Sequence, residues 1–210
     1  MDELRLCLVT DRTQTRGREL AAVVGDCLAA GLPAVQVREK DLGAADLAFV
    51  CRRLRALTLD HQALLIVNDR VDVALMAGAD GVHIGQDDLP AAEVRALMGP
   101  RALIGVSAAT VDEAVAAERA GADYIGVGSI YATATKPDAG APVGLGRVTE
   151  IRRAVRVPIV GIGGITPENA AAVIRAGAQG VAVITAVTLA DDMNAAVRRL
   201  RETVDGAGVG

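Results

Sequence analysis

Short apolar segments recur about every 25 residues, and each is followed by a polar or glycine-containing turn and then by a segment with helical spacing of Ala, Leu and Val. The apolar segments cover residues 4–9, 34–37, 64–67, 81–84, 103–106, 124–127, 159–162 and 180–184. The segments with helical spacing cover residues 17–30, 44–57, 71–76, 90–97, 111–120, 145–155, 167–176 and 191–204. The pattern predicts strands and helices in regular alternation.

Four of the predicted helices end in the same way, with Ala-Gly, a short turn and the next strand, at residues 30–35, 77–82, 120–125 and 176–181. The strand segments are apolar on both faces, which is typical of strands buried in a parallel sheet. This repetition in 210 residues predicts an α/β fold, a single-domain (β/α)₈ TIM barrel. An open doubly wound sheet is the alternative, but no GxGxxG motif follows the first strand. We expect the barrel over residues 1–204 and a disordered tail over residues 205–210.

Composition narrows the function classes. Hydrophobic residues make up 51% of the chain, and the net charge is −4, as in ordinary globular proteins. With three aromatic residues and no basic run, the chain lacks the features that bind nucleic acid. The longest uncharged stretch, residues 176–190, is too short to span a membrane, and the acidic start is unlike a signal peptide. Cys7, Cys27 and Cys51 form no CxxC pair, so we expect buried thiols in a reducing cytoplasm.

Polar residues follow the apolar segments, where a barrel builds its active site. Strand alternation in residues 35–40 places Gln36, Arg38 and Lys40 on one face, at the mouth of the barrel. Such cations need anionic partners, which could be the nearby Glu39, Asp41 or Asp69 of the chain itself. The alternative that we favour is a polyanionic ligand such as a diphosphate, with Lys136 as a further cation.

Two acidic residues end neighbouring strands. Asp69 and Asp88 could each supply a carboxylate oxygen to Mg²⁺, which usually takes its other ligands from water and substrate phosphates. In the alternative interpretation, each carboxylate caps the helix that follows it.

A second anion site is predicted at the last two strands. Gly163 and Gly164 precede a helix start, and residues 183–185 end the last strand, as in the phosphate site common to these barrels. Residues 132–146 form a long segment without periodicity, which we expect to close over substrate with Thr133, Thr135 and Lys136; a surface linker is the alternative. A single histidine, His83, is interpreted as a packed, hydrogen-bonded residue rather than an acid or base.

Five segments together resemble the thiamine-phosphate synthase family, in order and across nearly the whole chain. They are residues 35–40 (VQVREK), 67–74 (VNDRVDVA), 81–90 (GVHIGQDDLP), 133–138 (TATKPD) and 161–166 (GIGGIT). The resemblance implies a (β/α)₈ barrel that joins 4-amino-2-methyl-5-hydroxymethylpyrimidine diphosphate to 4-methyl-5-hydroxyethylthiazole phosphate, giving thiamine phosphate and diphosphate. It also implies a dissociative reaction that needs Mg²⁺ and no protein nucleophile.

The resemblance assigns residues to each ligand. The pyrimidine diphosphate would be held by Gln36, Val37, Arg38, Glu39, Lys40, Asn68, Ser107 and Lys136. Within that set, the catalytic groups would be Arg38, Lys40, Ser107 and Lys136. Thiazole phosphate would be held by Thr133, Ala134, Thr135, Gly164, Ile184 and Thr185, and Mg²⁺ by Asp69 and Asp88.

Two positions depart from the family pattern. Ala108 and Ala109 follow Ser107 where the family commonly has a small polar residue and then His, and Thr185 replaces a Ser. A thiazole tautomerase on the same barrel is the nearest alternative function, but it would need neither a diphosphate site nor Mg²⁺. A non-catalytic sensor of thiamine precursors and a sugar-phosphate isomerase are further alternatives. The expected partners are small-molecule substrates, with no nucleic acid or membrane, and the sequence leaves open whether the chain forms a homo-oligomer.

Overall fold

The computed structural model describes residues 2–133, 135 and 141–208. Its strands form a closed barrel in chain order, which confirms the predicted fold. The strands are β1 (Leu6–Val9), β2 (Ala34–Val37), β3 (Leu64–Asn68), β4 (Gly81–Ile84), β5 (Leu103–Ala108), β6 (Tyr124–Val127), β7 (Ile159–Ile162) and β8 (Gly180–Val183). The helices are α1 (Leu20–Ala29), α2 (Ala44–Asp60), α3 (Val71–Ala77), α4 (Ala91–Met98), α5 (Val111–Arg119), α6 (Gly144–Ala154), α7 (Ala170–Arg175), α8 (Thr185–Thr188) and α9 (Met193–Ala207).

Each strand pairs in parallel with the next, and the barrel closes where Leu6 of β1 lies beside Val181 of β8. Because every strand is buried on both sides, its residues alternate between two apolar layers. The outer layer packs the strands against the helices. The inner layer fills the barrel with mostly small or aliphatic side chains: Leu4, Cys7, Val9, Ala34, Ile66, Tyr124, Val160 and Ala182.

Local sequence explains the helix ends. Gly78 ends α3 in the left-handed conformation, with φ of 61°, which glycine adopts without a steric penalty. Thr110 and Glu113 form a reciprocal capping box at the start of α5. Helix α7 begins at Ala170, later than predicted, because the Asn169 side chain accepts from the Thr166 amide and donates to the Gly164 carbonyl, which holds a separate turn.

Two features at the carboxyl end of the chain differ from the prediction. Helix α9 continues to Ala207, so it includes the first three residues of the predicted tail, because Ala207 still packs against the core. The short helix α8 directly after β8 was not predicted. Across the described residues, none of the helices combines the length and the apolar character that a membrane crossing requires.

Candidate active site

The carboxyl ends of the strands open into one cavity of about 1030 Å³. Its wall includes most of the residues predicted to bind ligand: Gln36, Arg38, Lys40, Asn68, Asp69, Asp88, Ser107, Thr133, Thr135, Gly164, Ile184 and Thr185. These residues come from β2 through β8, so only the closed barrel brings them together.

At the end of β2, some side chains line the cavity and others are packed in the protein interior. Gln36, Arg38 and Lys40 line the cavity, as strand alternation predicts. Val37 packs instead in the apolar layer between strands and helices. The Glu39 side chain is also outside the cavity wall: it is 5% exposed and accepts hydrogen bonds from the Thr10 hydroxyl (2.6 Å) and the Arg12 amide (3.1 Å). The side chains of Val37 and Glu39 therefore lie outside the cavity wall, and the assignment of these two residues to the ligand stays a prediction.

The two cations that follow β2, Arg38 and Lys40, differ in whether they have an acidic partner. Lys40 Nζ lies 3.3 Å from Asp69 Oδ2, so the internal salt bridge considered above exists for Lys40. Glu39 and Asp41 pair with Arg12 rather than with these two cations. Within residues 2–133, 135 and 141–208, no carboxylate lies within 4.0 Å of the Arg38 guanidinium. Arg38 is therefore available to an anionic ligand.

Asp69 and Asp88 are not helix caps. The residue that caps α3 is Arg70 and the residue that caps α4 is Pro90, and neither cap uses a side chain. Asp69 has a φ of 61°, which is uncommon outside glycine, and its amide donates to the His83 carbonyl. Asp88 Oδ2 accepts from the Gly85 amide at 2.7 Å. These backbone contacts direct both carboxylates into the cavity.

The two carboxylates are close enough to influence each other. Burial is the main effect that raises the pKa of Asp69, the neighbouring Asp88 raises it further, and Lys40 lowers it. Carboxylate oxygens suit Mg²⁺, and a pair of acids whose charges repel is stabilised by a cation between them. Among the residues that the structure describes, no third Asp, Glu, His or Cys joins the pair as a metal ligand. Two protein ligands leave room for water and phosphate oxygens, so the donor set fits Mg²⁺.

A hydrogen-bonded network in the wall of the cavity was not predicted. His83 Nδ1 lies 3.0 Å from the Tyr124 hydroxyl, and His83 Nε2 lies 2.9 Å from Ser107 Oγ. The Gln86 side chain, from the loop after β4, donates to the Ser107 carbonyl at 2.6 Å. His83 is thus hydrogen-bonded, as interpreted from the sequence, but it also lines the cavity.

The opposite side of the cavity is built mostly from backbone. Gly163 and Gly164 both have positive φ, of 100° and 63°, and they expose main chain where β7 ends. Ile184 and Thr185 follow β8 and begin α8, whose first amides have no acceptor within the helix. Thr133 contributes a hydroxyl that accepts from the Thr135 amide at 3.3 Å. Main-chain amides and hydroxyls of this kind can hold a phosphate.

Two predicted residues, Ala134 and Lys136, lie outside the described residues, as does the middle of the segment predicted to close over substrate. Ala108 and Ala109, which depart from the family pattern, both line the cavity. Ala108 is 3% exposed beside Ser107, and the Ala109 amide donates to Glu113 Oε2 at 2.6 Å as part of the α5 cap. The loop after β5 is thus held by the helix cap.

Comparisons with known proteins agree with this arrangement. A family model described as thiamine monophosphate synthase matches residues 6–187. The chain is 57% identical to thiamine-phosphate synthase of Moorella thermoacetica, over 91% of each chain, and 52% identical to that of Chloroflexus aurantiacus, over 95% of this chain and 92% of the relative. The solved structure of thiamine phosphate pyrophosphorylase from Pyrococcus furiosus superimposes with a TM-score of 0.89 at 37% identity, covering 98% of each chain.

Proposed function

The chain belongs to the thiamine monophosphate synthase family, and from this premise we propose how its cavity joins the pyrimidine and thiazole precursors of thiamine phosphate. The pyrimidine diphosphate binds at the charged side, with its diphosphate on Arg38 and Lys40. The thiazole phosphate binds at the opposite side, with its phosphate on the backbone around Gly164 and Thr185. The availability of Arg38, beside the paired Asp69 and Asp88, is the observation that carries this proposal.

The reaction is a substitution in two steps. The bond between the pyrimidine methylene carbon and the diphosphate oxygen breaks first, and both electrons leave with the diphosphate. The resulting carbocation is stabilised by the pyrimidine ring. The lone pair of the thiazole nitrogen then forms the new C–N bond, which gives thiamine phosphate. No protein nucleophile and no oxidant takes part, so the protein contributes charge stabilisation and alignment.

The residues of the chain divide these tasks. Arg38 and Lys40 stabilise the charge that develops on the departing diphosphate, and we propose the same for Lys136. Asp69 and Asp88 would hold Mg²⁺, which when bound offsets further negative charge on the diphosphate. Asn68 and Ser107 orient the pyrimidine diphosphate. The phosphate site keeps the thiazole nitrogen in line with the methylene carbon.

We also propose a cytoplasmic location. Its support is chemical: Cys7, Cys27 and Cys51 are free and buried, and burial raises the pKa of each thiol to about 12. Free thiols are typical of a reducing compartment.

The function is tested by supplying both precursors to the purified protein, with Mg²⁺ or with excess chelator, and measuring thiamine phosphate and diphosphate. We expect equal amounts of the two products with Mg²⁺ and almost none with chelator. Asp69→Ala should abolish turnover, while Asp191→Ala, which changes a carboxylate that is 97% exposed, should not. Absence of product from folded protein that binds thiazole phosphate would contradict the synthase and favour the tautomerase or the sensor.

A further inference from the structure

Three polar side chains from three strands form a continuous chain of hydrogen bonds in the wall of the cavity. Tyr124 on β6 bonds to His83 on β4, and His83 bonds to Ser107 on β5, while Gln36 on β2 lines the same cavity. The His83 and Tyr124 rings lie 5.5 Å apart between centroids and are tilted by 34°. Tyr124, His83 and Ser107 all line the cavity, and Tyr124 also packs in the inner apolar layer of the barrel.

The protonated phenol of Tyr124 favours one direction for these bonds. Burial raises the pKa of Tyr124 well above its usual range, whereas the Gln36 side chain lowers it, and the phenol keeps its proton. The phenol can therefore donate to His83 Nδ1, which lies 3.0 Å away. A neutral imidazole that accepts at Nδ1 carries its proton on Nε2. His83 then donates to Ser107 Oγ, and the Ser107 proton points away from the network.

The barrel makes room for this network with two glycines. A Cβ at Gly105 would lie 2.1 Å from Tyr124 Cζ and 2.5 Å from His83 Nδ1. A Cβ at Gly126 would lie 2.7 Å from His83 Cε1. In the strand register, Gly105 stands between His83 and Tyr124, and Gly126 stands beside Ser107. Any larger residue at either position would displace the rings, so the space is specific to the network.

We infer that Tyr124 and His83 are positioning residues that hold the Ser107 hydroxyl as a hydrogen-bond donor to the pyrimidine diphosphate. This inference rests on the proposed function and adds two residues to it. Tyr124 is buried, His83 and Ser107 are half-buried, and the network lies between the charged groups at the mouth and the apolar floor. A fixed donor there selects a substrate that presents an acceptor at that point, because a ligand without one would exclude water from the half-buried Ser107 hydroxyl and leave it unpaired.

The first test is the tautomer of His83. The chain has two histidines, and His61 is exposed, so ¹⁵N spectra of the imidazoles contain one site of interest and one internal reference. At a pH where both rings are neutral, His83 in the wild type should carry its proton on Nε2, and Tyr124→Phe should remove that preference without changing the His61 signals. A proton on Nδ1 of His83 in the wild type would overturn the inference.

The second test is a double-mutant cycle on turnover. Tyr124→Phe and Ser107→Ala should each lower kcat/KM for the pyrimidine diphosphate by about 10-fold, the scale of one hydrogen bond, with the KM for thiazole phosphate unchanged. The double variant should match Ser107→Ala alone, because Tyr124 acts through Ser107. His83→Gln, which keeps a donor, should retain more activity than His83→Leu, and His61→Leu serves as the control on an exposed histidine.

The results of these tests distinguish a failure of the positioning role from a failure of the proposed function. Multiplicative losses in the double variant, or an equal rise in both KM values, would overturn the positioning role while wild-type turnover left the synthase in place. Wild-type protein that forms no thiamine phosphate would overturn the proposed function and, with it, the role of Ser107 toward the pyrimidine diphosphate.

Discussion

The two sides of the cavity offer different groups to an anionic ligand. The side formed by β2 to β4 uses long charged side chains, and its Lys40 is 57% exposed while it pairs with Asp69. The side formed by β7 and β8 uses main chain at Gly163, Gly164 and Thr185. Charged side chains stabilise an anion strongly, and they can move with it. A site made of main-chain groups carries no net charge and is held rigidly by the fold.

This difference matches the two tasks of the reaction. The diphosphate gains charge as it departs, so the groups that hold it must interact more strongly with the transition state than with the substrate. The thiazole phosphate does not change its charge, and its site has only to keep the nucleophile in place. Changes on the charged side should therefore reduce kcat, whereas changes on the backbone side should mainly raise one KM.

The largest loss of turnover is expected from substitution of Arg38. Arg38→Ala removes the cation that has no acidic partner within the described part of the chain, so kcat/KM for the pyrimidine diphosphate should fall by about 100-fold. The KM for thiazole phosphate should stay within about twofold of the wild type. Steady-state kinetics with each substrate varied in turn measures both values.

The control for this variant is Arg53→Ala, which removes an arginine that pairs with Glu19 on the surface and lies outside the cavity wall. Turnover by Arg53→Ala should equal that of the wild type. If Arg38→Ala raised only the KM for thiazole phosphate, the assignment of the two sides would be reversed.

A smaller change, confined to the KM of one substrate, is expected from substitution of Gly164. A Cβ there would lie 2.6 Å from the Ala132 carbonyl oxygen and 2.8 Å from Tyr131 Cβ, in addition to the strain of a φ of 63°. Gly164→Ala should therefore displace the main chain of the phosphate site and raise the KM for thiazole phosphate by about 10-fold. The KM for the pyrimidine diphosphate should change little.

Gly78→Ala is the matched control, because Gly78 has nearly the same φ, 61°, and nothing lies within 4 Å of the added Cβ. That variant should lose about 1 kcal/mol of stability through backbone strain and keep both KM values. A similar kinetic defect in the two variants would mean that strain, and not the contacts at the phosphate site, causes it.

The sequence predicted most of the fold because buried parallel strands are recognisable as short apolar segments. The bounds of β2, β4, β6 and β7 agree with the prediction to the residue. Alternation also placed Gln36, Arg38 and Lys40 correctly, since it depends only on the local strand period. Helix α8 was missed because it follows β8 without a turn signal and has a single turn.

The parts that the sequence did not predict depend on partners that are distant along the chain. His83 and Tyr124 are 41 residues apart, and only the barrel register brings their rings together. The sequence did contain an indication of this contact. Gly105 and Gly126 lie inside two predicted strands, where a glycine indicates the close approach of a bulky group. The hydrogen bond from Thr10 to the Glu39 side chain was not predicted, because Thr10 lies 29 residues earlier in the chain.

The smallest expected effect is on stability. It concerns Glu39, whose buried carboxylate lies behind the charged side of the cavity. Burial is the main effect that raises its pKa and Asp11 adds to it, whereas hydrogen bonds from Thr10 and Arg12 and the charge of Arg12 lower it. In the pH range just above 4.5, the folded protein therefore binds more protons than the unfolded chain, so this group favours folding less as the pH rises.

The glutamine side chain in the Glu39→Gln variant does not ionise. The hydrogen bond that this variant loses changes its free energy of unfolding by the same amount at every pH. The free energy of unfolding of the wild type minus that of Glu39→Gln should therefore decrease as the pH rises above 4.5, measured by urea denaturation. Glu118 is the control of opposite sign, because the amides of Arg156 and Val157 donate to it at 2.6 and 3.0 Å and lower its pKa. For Glu118→Gln, the same difference should decrease as the pH falls below 4.5. Slopes of the same sign in the two variants would show that the burial of Glu39 does not control its ionisation.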